Sequence, residues 1–283
     1  MPHPLPYRGS KRRLAGAILA EAGPRPYARL YEPFCGSAAL TLAAAARGLA
    51  PRFVLGDSLP PLVALWRAMV EAPDRVAAAY GALWRAQHRD PEHYERVRDR
   101  FNRSADPHAL LYLLARCVKA AVRFNREGAF NQAPDRRRLG MRPERFAAEA
   151  TGAARLLAGR TRFACADYEA TIASAGPADL VYLDPPWQGT SEGVDRRYAE
   201  GLARERLVAS LAALVGRGVP FLLSYDGRSG ARAYGRPLPA SLGLRRVTLD
   251  AGASSQATLL GRRERTLESL YLSPALIARR GGR

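Results

Sequence analysis

The run Val181-Tyr182-Leu183-Asp184-Pro185-Pro186-Trp187 carries an apolar segment into a carboxylate, two prolines and an aromatic ring. Pro185 fixes its own φ and restricts Asp184 to extended backbone, so the turn keeps a narrow range of shapes. A side-chain carboxylate and a neighbouring main-chain carbonyl can then face one substrate group together. An exocyclic amine, with its two N–H donors, matches that acceptor pair. Holding both hydrogens draws the nitrogen lone pair out of conjugation with its ring and aims it at a methyl donor. No strong base is needed, because the methylated amine cation is acidic and loses its proton afterwards. Trp187 adds a stacking face for a base taken out of a helix. Asp184, Pro185, Pro186 and Trp187 are therefore the expected catalytic set. The plainer reading is a proline-rich loop in which Asp184 caps a turn.

Such a motif needs a rigid frame. Leu30-Tyr31, Phe53-Val54-Leu55, Leu180 to Leu183 and Phe221 to Tyr225 read as buried strands of a parallel sheet. Thr41 to Arg47, Pro61 to Val70 and Ala203 to Arg217 have helical spacing of apolar residues. Alternating strand and helix predicts an α/β, doubly wound domain. The rhythm breaks between Pro73 and Gly152, which is helical, basic and without a convincing strand. Residues 1–72 and 153–283 are assigned to a catalytic domain, and 73–152 to a helical insertion after the second strand. Leu244 to Leu249 and Leu267 to Leu272 alternate like antiparallel strands joined by a polar loop, and Arg279 to Arg283 read as a flexible basic tail.

The 283 residues carry 44 Lys+Arg against 26 Asp+Glu, a net charge of +18, which points to a polyanionic partner. Arginine predominates, and its planar fork suits phosphates and guanine edges, although an Ala/Arg/Gly/Pro-rich coding bias would also raise it. Cys35, Cys117 and Cys165 form no CxxC pair and have no histidine at metal-ligand spacing, so neither a disulfide framework nor a metal site is expected. The apolar stretch Leu14 to Ala20 gives way to Glu21 and Gly23-Pro24, and no run is long enough to span a bilayer. The expectation is a cytoplasmic protein, monomeric or weakly dimeric, with no membrane contact.

Asp184-Pro185-Pro186-Trp187 resembles the Asp-Pro-Pro-aromatic motif of amino-methyltransferases, and nearly the whole chain resembles the Dam-type adenine-specific DNA methyltransferases in the order of its motifs. Pro6 to Lys11 is similar to that family's N-terminal aromatic-x-Gly-x-Lys element. Tyr31-Glu32-Pro33-Phe34-Cys35-Gly36-Ser37 is similar to its Glu-Pro-Phe-x-Gly cofactor loop. Gly56-Asp57 is similar to the acidic end of its second strand, with Ser58 where relatives usually have Asn. Arg123-Phe124-Asn125, Gly128, Phe130-Asn131 and Pro134 are similar to its Arg-aromatic-Asn…Gly…Phe-Asn…Pro target-recognition segment. The resemblance implies a Rossmann-like fold dependent on S-adenosylmethionine, with a mixed seven-stranded sheet and an inserted helical target-recognition domain. It also implies methylation of adenine N6 in a specific double-stranded DNA sequence by base flipping, in a restriction–modification, phage or orphan setting. Two features depart from the family: Trp187 stands for its commoner tyrosine, and Val118-Lys119-Ala120-Ala121 lacks an aromatic-Asn wedge.

Several residues keep two readings each. Glu32 and Phe34 suit a cation and its apolar surroundings, and Gly36 allows close backbone approach, but all three also fit an ordinary strand–helix turn. Asp57 can accept from ribose hydroxyls or cap the following helix. Lys11 can bind the cofactor carboxylate or belong to a solvated basic face, and Tyr7 can cover the cofactor or pack under the N-terminus. Asp167 and Tyr168 fit the cofactor's adenine, or a plain turn. Arg123 can read a guanine edge, while Asn125, Arg126, Asn131, Arg136 and Arg137 complete the expected DNA-facing set. An RNA adenine methyltransferase, a non-catalytic nucleic-acid-binding protein of the same fold and, more distantly, a nicotinamide-dependent reductase are the rival functions.

Overall fold

The computed structural model describes residues 1–186, 204–229, 232–253 and 265–281, so Trp187 lies outside the described residues. The four apolar runs become neighbouring strands because both sides of each are covered. β1 (Arg29–Glu32), β2 (Arg52–Asp57), β3 (Thr161–Cys165), β4 (Leu180–Leu183) and β5 (Phe221–Ser229) run parallel. The short β6 (Arg232–Tyr234) pairs with the end of β5. β7 (Arg245–Ala253) and β8 (Arg265–Leu272) close the sheet as antiparallel partners. The order is β3-β2-β1-β4-β5-β8-β7, a path of seven mixed strands with β6 off it.

Side chains alternate between two cores, as strand geometry requires. Leu30, Phe53, Leu55, Tyr182, Leu222 and Leu270 face one side, where α1 (Ala15–Glu21), α2 (Ala39–Ala46) and α3 (Pro60–Glu71) pack. The basic stretch follows as α4 (Pro73–Ala86), α5 (His93–Ser104), α6 (Pro107–Arg116) and α7 (Pro143–Leu157). Tyr31, Val54, Val181, Phe221 and Leu223 face the other side, under α8 (Tyr168–Ile172) and α9 (Arg204–Gly216). α10 (Pro274–Gly281) ends the described chain. No helix among the described residues is long and apolar enough to cross a membrane.

Helices α4 to α7 are amphipathic: α5, for example, buries Tyr94, Val97 and Phe101 and exposes Arg96, Arg100 and Arg103. Their buried faces join the core of the first sheet face, so Tyr80, Tyr112 and Phe146 pack in one cluster with Leu30 and Phe53. α7 runs past the expected boundary at 152 to Leu157 and feeds directly into β3. One expectation fails at the C-terminus. Arg279 and Arg280 are not a free tail: Arg279 donates to the Pro26 carbonyl at 2.6 Å and lies over the Tyr27 ring, and Arg280 pairs with Glu21. Pro274 opens a helix whose Leu276 is buried, which turns both arginines back onto the protein.

The loop after β1 is fixed from α3. Trp66 is fully buried and donates its Nε1–H to the Gly36 carbonyl at 2.8 Å. Trp66→Phe should lower the unfolding free energy by about 1–3 kcal/mol, since the carbonyl loses its partner. Denaturant melts at unchanged slope would read this as a lower midpoint. A midpoint equal to wild type would show that the bond contributes nothing.

Candidate active site

Four carboxylates stand at the carboxyl ends of four adjacent parallel strands. Across the sheet they are Asp167 just after β3, Asp57 ending β2, Glu32 ending β1 and Asp184 just after β4. The strand order reverses between β1 and β4, which opens a crevice there, the usual ligand position in open α/β sheets.

Glu32 is buried, and its Oε2 accepts from the Thr41 amide at 2.9 Å and the Thr41 hydroxyl at 2.5 Å. It thereby caps α2, whose own N-cap Ala38 is left-handed (φ 49°) and offers no side-chain cap. Burial pushes the Glu32 carboxyl up to about 8, against the Thr41 bonds that favour its ionised form. Asp57 joins two elements: Oδ1 accepts from the Leu59 amide at 3.0 Å and Oδ2 from the Gly36 amide at 3.3 Å. Burial lifts it to about 6 in spite of those bonds. At Gly36 (φ +44°) a Cβ would sit 3.1 Å from the Tyr7 ring, so glycine is what lets Tyr7 lie against this loop.

Phe34 stacks on Tyr168, with centroids 5.2 Å apart. Asp167 caps α8 by accepting from the Glu169 amide at 2.9 Å, and the same oxygen pairs with Arg206 at 2.8 Å. Arg206 also reaches Glu169 and lies over the Tyr168 ring.

Lys11 turns inward while Arg12 and Arg13 stay exposed, so it does not belong to a solvated basic face. Its Nζ lies 3.0 Å from Asp184 Oδ1, 3.4 Å from Glu268 Oε2 and 3.4 Å from the Gly9 carbonyl. Burial alone would lower the lysine's pKa, but the two carboxylates outweigh it and raise it. Burial also lifts Asp184, to about 6, with Lys11 opposing the rise and Glu268 adding to it. Among the described residues nothing is bonded to Asp184 Oδ2 or to the Pro185 carbonyl.

The nucleic-acid candidates form a separate surface. Residues 123–131 make a tight hairpin: Asn131 N donates to Arg123 O, and the Asn125 side chain closes the turn on Ala129 N and Glu127. Phe124 and Phe130 anchor it in the core, while Arg123, Arg126 and Asn131 are exposed. Buried Asp135 accepts from Arg137 N and pairs with the Arg137 and Arg138 side chains, leaving Arg136 and Arg137 exposed on a braced turn. Sequence reading missed Thr41, Trp66, Arg206 and Glu268. Glu268 had no visible signal, because its partner Lys11 lies at the other end of the chain.

Set beside known proteins, residues 7–239 match the D12 class N6 adenine-specific DNA methyltransferases, and the chain belongs to that family. It is 27% identical over 252 residues to the retron Ec67 DNA adenine methylase of Escherichia coli, covering 84% of this chain and 81% of that protein. It is 28% identical over 208 residues to the DNA adenine methylase of Escherichia coli K12, covering 69% and 70%. The DNA N-6-adenine-methyltransferase of Escherichia phage P1 is 27% identical over 218 residues, which are 72% of this chain and 27% of that longer protein.

An Asp184 that must be ionised to accept from an amine gives a defined pH dependence. With its carboxyl raised to about 6, the ionised form is present above that value and lost as pH falls through it. The acid limb of kcat/KM, which reports the free enzyme, should lie near pH 6. A limb near 4, where ordinary carboxyls titrate, would contradict the burial described here.

Proposed function

We propose that this chain transfers a methyl group from S-adenosylmethionine to the N6 amine of adenine in a specific double-stranded DNA sequence, after turning the base out of the helix. The observation that carries this reading is the state of Asp184: one oxygen is tied to Lys11, while Oδ2 and the Pro185 carbonyl have no described partner, at the sheet's switch point. In this reading these two acceptors hold the amine's hydrogens and keep its lone pair out of the ring. The proton that leaves afterwards passes to Asp184 or to water.

The residues present fit the cofactor. S-adenosylmethionine supplies an electrophilic methyl on a cationic sulfur. Glu32, Asp57 and Asp184 give an acidic floor for a cation, Phe34 and Tyr168 an aromatic wall, and Gly36 with Tyr7 a close backbone edge. Asp57 and Asp167 keep unused lone pairs for hydroxyl or amine donors, although both already serve the fold. Trp187 is assigned the stacking face for the turned-out base. Residues 73–152 are assigned to target recognition, with Arg123 reading a base and Arg126, Arg136 and Arg137 meeting phosphates. Asn125 and Asn131 act through the hairpin that displays Arg123.

Asp184→Ala should keep measurable cofactor binding and lose methyl transfer. Radiolabelled transfer to matched DNA and RNA duplexes, with analysis of the modified base, should find N6-methyladenine in the DNA. Near wild-type transfer by the mutant would remove Asp184 from the mechanism, and preferential labelling of RNA would favour an RNA adenine methyltransferase.

Arg123→Ala should relax preference at one base pair by about 1–3 kcal/mol, whereas Arg136→Ala and Arg137→Ala should weaken binding evenly across sequences. A methylated motif unchanged in all three would mean that Arg123 does not read bases.

A further inference from the structure

Lys11 meets more negative charge than its own single charge can balance. Asp184 lies at 3.0 Å and would alone neutralise it, yet Glu268 also stands 3.4 Å away with its side chain only 15% exposed. A second largely covered carboxylate beside the first is unfavourable by itself, since like charges in one site oppose each other's ionisation. Its cost must be offset by something the pair Lys11–Asp184 cannot supply.

The sheet shows what that is. Asp184 follows β4 and Glu268 sits on β8, with β5 between them. At the usual strand spacing the two backbones are therefore about 10 Å apart. Glu268 shares a face with Leu270 and Leu272, the face on which Tyr182 also lies. Its partner on β5 is Gly227, which carries no side chain, next to a bulge that begins at Ser224; the Ser224 hydroxyl is bonded to Tyr182 instead. The path from Glu268 across β5 is thus left to the lysine.

We propose that Glu268 is a positioning residue for methyl transfer: from the far side of β5 it anchors the Lys11 ammonium, so that Lys11 occupies Oδ1 of Asp184 and leaves Oδ2 to the substrate amine. This rests on the reading of Asp184 as the group that holds that amine. Glu268 adds a second charged partner to the ammonium beside the Gly9 carbonyl at 3.4 Å, and this further hold limits its swing across the two oxygens of Asp184. The cluster of one ammonium and two carboxylates also keeps a net charge of −1, which suits the cationic cofactor proposed above. Among the described residues, the other titratable groups facing Asp184 are Glu32 on β1 and Tyr182 on β4.

The test compares Glu268→Gln and Glu268→Asp with Asp184→Ala in the full-length chain. Glu268→Gln should lower kcat by about tenfold, the scale seen when the partner that orients a functional ligand is removed. It should also move the acid limb of kcat/KM to lower pH, because Asp184 loses a neighbouring anion. In the protein without cofactor, the Asp184 carboxyl followed by carbon-13 NMR should titrate at lower pH in the same variant. Glu268→Asp keeps the charge but pulls it back by one methylene, so kcat should fall while the acid limb stays near wild type. Wild-type kcat and an unmoved limb in Glu268→Gln would overturn the proposal. If Glu268→Gln does not fold, wild-type kcat in Glu268→Asp overturns it, and a lowered kcat with an unmoved limb supports it. An active Asp184→Ala would instead sink the underlying reading. A dead Asp184→Ala beside an unaffected Glu268→Gln rejects this inference alone.

Discussion

One buried ammonium shared between two carboxylates joins parts of the chain that are far apart in sequence. Lys11 belongs to the N-terminal turn, Asp184 to the end of β4 and Glu268 to the C-terminal hairpin. Removing Lys11 would leave both carboxylates without their counter-charge, at a cost of about 3–5 kcal/mol. The same strap carries other contacts. Tyr7 lies on Gly36 of the loop after β1, and the Arg8 amide donates to Ala120 at 2.9 Å, in the turn that leads into the 123–131 hairpin. Residues 7–11 therefore touch the carboxylate floor, the aromatic wall's loop and the base of the exposed arginine surface. A shift in any of them would be felt at the other two.

Charge is divided by depth. The chain is strongly basic, yet the crevice at the strand ends is acidic, and among the described residues Lys11 is the cation paired with Asp184 and Glu268 there. The two signs suit two partners: exposed arginines for phosphates, which favour association through counterion release, and buried carboxylates for a cation. Burial is the largest cause that raises Glu32, Asp57 and Asp184, and at Asp184 it outweighs the opposing charge of Lys11. Backbone amides and Thr41 hold Glu32 and Asp57 in place without neutralising them.

Much of the frame was legible because buried strands advertise themselves. Leu180 to Leu183 is apolar on both faces and ends at a carboxylate and two prolines, a pattern with few other meanings. The ends of the elements and the double use of polar groups were harder to see. Asp57 was open between ligand and cap, and it does bond the start of α3, but its second oxygen ties Gly36, 21 residues away. No local pattern encodes such a contact. Arg279 and Arg280 looked like a tail because the aromatic ring and carbonyls that capture them lie some 250 residues upstream. Glu268 was hidden for a similar reason: alternation correctly predicted its strand, but no local pattern tells that the N-terminal turn brings Lys11 to it.

The reading of the strand ends as a cation site makes a direct demand on proton binding. With Glu32 raised to about 8 and Asp57 and Asp184 to about 6, part of this carboxylate floor is protonated near neutral pH. An arriving cation must drive those groups toward ionisation, so binding and proton release are linked. Isothermal calorimetry of S-adenosylmethionine binding at pH 7, in buffers of different ionisation enthalpy, measures that release. Net loss of protons from the protein is the expected result; binding with no proton exchange, or with uptake, would contradict it.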